Sequence, residues 1–272
     1  MDRPHAGRIA LHLILALVIV FMLAPILIVV VNSFNSSAYN AWPPTGLTLE
    51  WYRRVLAHSG FRRGMTNSLI VGLSSTALVL ALGTPIAYAL ARVRLRGLRV
   101  VKSVLFAPLV VPRVAIGFSL FVLCLSLARG LYGSLAALVV AHSILMLPFA
   151  VAVLAASFGE LDPIVEEAAR DLGAGPLETF GHVVLPQIRG AMAISAVFSF
   201  ITSFDEVETT IFLVKPAVNT LPVEMYHYLE QYQDPTLAAL STLLILFTLV
   251  LALVLPFVTS GKALLRLISP KR

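Results

Sequence analysis

Four ionisable side chains stand inside long apolar runs. Asp205, Glu206 and Glu208 lie in AMAISAVFSFITSFDEVETTIFLV, and Arg113 lies in SVLFAPLVVPRVAIGFSLFVL. A charge facing hydrocarbon costs several kcal/mol, so such groups turn to a cavity, a partner or one another. Carboxylates placed so attract ammonium groups. On a continuous helix Asp205 and Glu208, three apart, share a face, with Glu206 rotated by about 100°. Two readings stand for Asp205 and Glu206: they line the path of a cationic solute, or they pair with Arg113 or cap helix ends near the outer surface. Arg113 follows Pro112 and has two matching readings: it neutralises Asp205 or Glu206, or it binds an anionic group of the solute.

A second stretch is polar where its surroundings are not: EEAARDLGAGPLETFGHVVLPQIRG, Glu166 to Gly190. Asp162 suits a helix N-cap and Pro163 the first helical position. Glu166 and Glu167 fall early in that helix, where its dipole favours anions. Ala168 and Ala169 keep one patch flat. Gly173 falls where helices end in a left-handed residue, and Gly175-Pro176 turns the chain. LETFGHVV then begins a second short helix, with Pro186 resetting direction before the next apolar run. A segment of over 30 residues is more than a connection of about 2–8 needs. Its chemistry is that of a helix-turn-helix elbow with a small-residue surface, a place for another protein to dock.

No catalytic constellation accompanies these features. The chain has no G-x-x-x-x-G-K-[ST] phosphate loop, no H-E-x-x-H and no G-x-S-x-G. Cys124, the one cysteine, lies in an apolar run and reads as a packing residue. His142 reads as a packed or hydrogen-bonded histidine rather than a proton relay. Any energy input therefore comes from a separate protein.

The elements that position these groups follow from solvent. The 272 residues are 58% hydrophobic and only 12% charged, with mean hydropathy +0.91. Soluble domains carry about 25% charged residues, so the medium is lipid. About six runs reach the roughly 20 residues that cross hydrocarbon: 9–31, 66–91, 103–128, 135–157, 190–213 and 237–259. Each must be helical, because lipid satisfies no backbone group. The first run is too long for a cleaved leader. With the N-terminus inside, thirteen of the twenty Lys and Arg fall on inner segments and six on outer ones, which places both termini and the 158–190 elbow in the cytoplasm. That asymmetry accounts for the net charge of +6 without a nucleic-acid partner. Pro25, Pro85, Pro108, Pro112, Pro148 and Pro256 are expected to kink their runs. Outside, NSFNSSAYNAWPPTG is a loop, and LTLEWYRRVLAHSGFRRG an interfacial amphipathic helix whose arginines meet headgroups or solvent. Tyr226, His227, Tyr228 and Tyr232 belong to a short outer helix or an aromatic belt. The chain organises as 1–65, first span with outer loop and interfacial helix; 66–259, a core of spans containing the elbow; and 260–272, a basic tail.

Glu167-Ala168-Ala169, three residues, Gly173, nine residues, then Val183-x-Leu185-Pro186 resembles the EAA motif of permease subunits of binding-protein-dependent ABC importers (ABC transmembrane type-1, MetI-like). The resemblance covers most of the chain after about Thr66. It is greatest to the spermidine/putrescine branch, of the PotC type, in FITSFDEVETTIFL and TLPVEMYHYLEQYQDPTLAALSTLLIL. It implies an all-α integral membrane protein with the type I importer permease fold, in the bacterial inner membrane, moving its solute by alternating access. Glu167, Ala168, Ala169, Gly173, Leu185 and Pro186 would couple to a partner ABC ATPase dimer, which alone carries ATP and Mg. A second similar permease and an extracytoplasmic solute-binding protein would complete the assembly. This chain would bind no cofactor or metal and catalyse nothing. Phe204-Asp205-Glu206 matches the pathway portion, whereas relatives often have an acidic or uncharged residue where Arg113 stands. The implied solute is a polyamine; opines, aminophosphonates, ferric iron and amino-acid-like solutes are alternatives within the same class. A self-sufficient secondary transporter would show internal repeats, and none is visible.

Overall fold

The structure, a computed structural model, describes residues 3–40, 42–93 and 97–258. The expectations for Arg94, Arg96 and the 260–272 tail lie outside them. The described chain runs α1 (Arg3–Asn32), α2 (Glu50–Ala57), α3 (Ser59–Arg92), α4 (Leu98–Phe106), α5 (Arg113–Leu127), α6 (Leu135–Glu160), α7 (Pro163–Asp171), α8 (Pro176–Thr179), α9 (Leu185–Phe204), α10 (Thr210–Leu213), α11 (Leu221–Gln231) and α12 (Thr236–Val258). Four helical stretches are long and apolar enough to cross a membrane: Ala10–Asn32, α3, α6 and the continuous run Pro176–Phe204. Leu98–Leu109 with α5 makes a fifth if taken as one broken span, and Thr236–Val250 of α12 is a shorter apolar stretch.

Three expectations are corrected. The third run is not one kinked helix: it breaks by 103°. Pro108 lies in a tight 3-10 turn, Ala107–Leu109, and Pro112 caps α5 with φ −55° and ψ 133°. Two prolines four apart remove two backbone donors, and Pro112 biases Val111 away from helix, so the chain turns rather than bends. Pro186 does not reset direction. Phe180–Val184 is a wide turn in which the Leu185 N–H reaches the Phe180 carbonyl, and that extra residue absorbs the proline within a continuous helix. The fifth run ends at Phe204 rather than 213, with a non-helical step before α10.

A first compact unit comprises the chain up to Phe61 together with Met225–Leu251. Trp51 is buried on α2 and donates its indole N–H to the Asn35 carbonyl at 2.6 Å. Arg54 does not simply meet headgroups or solvent: it lies 4.6 Å over the Trp51 ring and 3.7 Å from Asp234. Asp234 accepts from the Tyr228 hydroxyl at 3.0 Å and from the Thr236 N–H at 3.0 Å, starting α12.

The second unit comprises the described residues of Arg62–Glu224 and of 252–258. α6 and α9 pack along each other, joined by the stacked rings of Phe149 and Phe198 at 3.7 Å. Ser195, Ser199 and Ser203, spaced one turn apart on α9, are all buried. Small residues of this kind let helices approach closely in a membrane. Ala87, Val151, Leu154, Phe158, Val184 and Ile188 form one core cluster of α3, α6 and the start of α9. Val71, Leu138, Ala141 and Leu213 form another. Gly117 is required by contact: a Cβ there would stand 2.8 Å from the Thr209 Cα.

Candidate functional site

The elbow forms as its residue types dictate. The Asp162 side chain accepts from the Ile164 N–H at 3.0 Å, capping α7 behind Pro163. Gly173 ends it with φ +93°. The Gly173 N–H reaches the Arg170 carbonyl at 2.9 Å, and the Ala174 N–H reaches back to Ala169 at 3.1 Å, the pattern of a left-handed helix stop. The Glu178 carboxylate then accepts from the Gly175 N–H at 3.0 Å to open α8. Glu167 and Ala168 are exposed and Ala169 half-buried. Beside them Leu172 is 90% and Leu177 86% exposed, an apolar tip on an otherwise polar segment.

The adjacent Glu166 behaves differently from Glu167. It is the one buried residue of α7. Its carboxylate accepts from the Tyr88 hydroxyl at 2.7 Å and from Arg92 Nε at 3.1 Å and Nη2 at 2.8 Å. Arg92 Nη2 also donates to the Leu161 carbonyl at 3.0 Å. Leu185 and Pro186 begin α9 and serve the helix itself. The residue types at 166 and 167 are the same; only the helical register decides which one turns inward.

The charged break gathers what the sequence left open. Arg113 donates from Nη1 to Glu206 Oε2 at 2.8 Å; the Glu206 side chain is fully buried and that of Arg113 is 46% exposed. The other Glu206 oxygen accepts from the Thr209 N–H at 2.9 Å. Thr209 donates its hydroxyl to the Arg113 carbonyl at 3.1 Å. Thr210 donates to the Glu206 carbonyl at 3.0 Å and lies 2.8 Å from His142 Nε2. His142 Nδ1 meets the Ser203 hydroxyl at 2.7 Å. His142 is thus a buried, doubly hydrogen-bonded strut between α6 and α9.

Asp205 and Glu208 do not share a helix face, because α9 stops at Phe204 and Asp205 is its C-cap. Both are exposed, and among the described residues neither has an ion-pair partner. Of the expected pathway trio, Arg113 and Glu206 are bonded together and Asp205 stands free of them. Thr209, Thr210, Ser203, Tyr88, Arg92 and Glu166 were not foreseen. The nearest sequence signal was the run Glu206 to Thr210, polar at four of five positions inside an apolar run. Among the described residues no group of three or more His, Cys, Asp or Glu could hold a metal.

Comparison with known proteins bears on this arrangement. The chain is 29% identical over 257 residues to the spermidine/putrescine transport system permease protein PotC of Escherichia coli (strain K12), covering 94% of this chain and 96% of that one. It is 32% identical over 238 residues to the putrescine transport system permease protein PotI of the same strain, covering 85% and 84%. Its fold matches a chain in the crystal structure of a bacterial ABC transporter involved in the import of the acidic polysaccharide alginate, with a TM-score of 0.75 at 18% identity, covering 96% and 98%. ABC permease subunits of this kind are not enzymes, and the ATPase is a separate subunit. Residues 81–272, elbow and charged break included, match the model of the binding-protein-dependent transport system inner membrane component, and the chain belongs to that family of ABC importer permeases.

Proposed function

We propose that the elbow is the seat of an ABC ATPase dimer, the site of ATP and Mg, and that the solute is an amine-bearing cation of the polyamine class. The observation that carries the first part is the elbow's tip. Leu172 and Leu177 stand almost wholly in the open on a nine-residue helix and its turn, and exposed apolar surface of that kind marks a protein contact. The chain works with a second, similar permease and receives its solute from an extracytoplasmic binding protein, with both of its ends and the elbow in the cytoplasm. Closure of the ATPase dimer moves the elbow and favours one state of the permease, which is the only way a partner can shift such an equilibrium. Glu167, Ala168, Ala169 and Gly173 form the contact, and Leu185 and Pro186 carry the displacement into α9.

The amine reading is supported by the names of PotC and PotI and by the exposed carboxylate of Asp205. Glu206 is withdrawn from it, since both its oxygens are occupied. A second reading rests on Arg113. Its half-exposed guanidinium suits a solute that bears an anionic group as well, such as an opine, an aminophosphonate or an amino-acid-like zwitterion.

The test is ATP-driven uptake by the complete complex in proteoliposomes, comparing spermidine, putrescine and a zwitterionic aminophosphonate. With Asp205→Asn, dication uptake should fall about tenfold, the equivalent of about 1.4 kcal/mol of lost charge contact. Dication uptake at the wild-type rate would remove Asp205 from the pathway. Preference for the zwitterion would select the second reading.

A further inference from the structure

The elbow's mechanical problem is how a short exposed helix passes a displacement into the membrane. α7 has nine residues, too few to hold its shape alone. Ile164, Val165 and Leu172 are exposed, so the helix lacks an apolar face packed on the body of the protein. Its flanks are soft: Leu161 and Asp162 are extended, and Gly173 and Gly175 follow. A push on such a helix would be lost in its hinges unless something stiff joined it to a span.

Glu166 is placed to be that joint. It is the one buried residue of α7, and it is charged. Its nearest partners, Tyr88 and Arg92, both belong to α3, at the end of a 34-residue helix. Arg92 Nη2 ties in the Leu161 carbonyl as well, so the guanidinium holds both the α6–α7 connection and the first turn of α7. Tyr88 is clamped in turn by edge contacts with Phe158 at 5.4 Å and Phe180 at 5.8 Å, which lie near the end of α6 and at the start of the wide turn that follows α8. Charge-assisted bonds to a fixed fork are short and directional, which makes them resist displacement along several axes.

We propose that Glu166 is a positioning residue: together with Arg92 and Tyr88 it makes α7 and the end of α3 one rigid body, so that movement of the elbow is delivered to α3 as well as to α9. The elbow therefore has two outputs, one through the chain into α9 and one through this side-chain bridge into α3. The inference rests on the proposed docking of the elbow, and its test separates the two.

The experiment uses the complete complex in proteoliposomes, with Cys124→Ser and Leu172→Cys introduced for crosslinking to the ATPase. Glu166→Ala should keep the crosslink and ATP hydrolysis while import falls, raising ATP consumed per solute imported about tenfold, within the usual range of a coupling free energy. Tyr88→Phe, which leaves the ion pair, should raise that ratio about threefold, at the low end of the same range. The exchange Glu166→Arg with Arg92→Glu should bring the ratio back towards the wild type. An unchanged ratio in both Glu166→Ala and Tyr88→Phe, with the crosslink present, would overturn the joint alone. A parallel fall of hydrolysis and import would do the same by making Glu166 merely structural. Absence of the crosslink before any Glu166 change would overturn the docking reading, and the joint with it.

Discussion

Two Arg–Glu pairs, built alike, differ in how far each arginine is enclosed. Arg92–Glu166 and Arg113–Glu206 both close at 2.8 Å on a buried carboxylate that also accepts from a neighbouring donor. In the first pair the arginine is only 18% exposed and its Nη2 is shared with a backbone carbonyl. In the second the arginine is 46% exposed and makes one close contact with its glutamate. The first pair is closed on itself and suits transmission of force. The second holds a broken span together while leaving guanidinium donors open. Burial of the carboxylate is common to the two pairs; the exposure of the arginine separates them.

Three substitutions would sharpen or break this contrast. The largest effect is expected from Arg113→Ala, which strands a fully buried Glu206 carboxylate with only the Thr209 N–H. Loss of about 3 kcal/mol is expected, at the low end for broken buried pairs because the guanidinium is half in the open. Thermal unfolding in detergent would measure it, and addition of Glu206→Gln should recover most of the loss. Next, Gly117→Ala would press a Cβ against the Thr209 backbone and disturb both bonds that Thr209 makes at the break. About 2 kcal/mol is expected; an unchanged melting temperature would mean that α5 and the break are not in close contact. The smallest loss, about 1.5 kcal/mol, is expected from Arg92→Ala, since Glu166 keeps the Tyr88 hydroxyl and the weaker attraction of Arg170 at 4.0 Å. If Arg92→Ala proved the more damaging of the two arginine truncations, the contrast would be reversed.

The elbow was legible because its signals are local. Asp162-Pro163 and Gly173 encode a helix start and stop through their own hydrogen bonding and backbone freedom, and both appear where expected. The charged break was not legible in the same way. AMAISAVFSFITSFDEVETTIFLV reads as a continuous span, and its polar run from Glu206 to Thr210 carries no proline, glycine or cap signal that fixes a stop at Phe204. The partner that holds Glu206 outside a helix is Arg113, 93 residues earlier. Pro108 and Pro112 advertised a distortion, but not whether the chain would kink or turn by 103°.

Composition and hydropathy by themselves determined that this chain lives in lipid as a set of helices, and Asp162-Pro163 and Gly173 determined where the elbow helix starts and stops. These follow from solvent and from backbone geometry, which act on each segment alone. Which of two adjacent glutamates turns inward at the elbow, and which carboxylate of Asp205 and Glu206 is left open, only the tertiary structure decided. A buried charge takes the conformation its partner permits, and both partners come from distant parts of the chain.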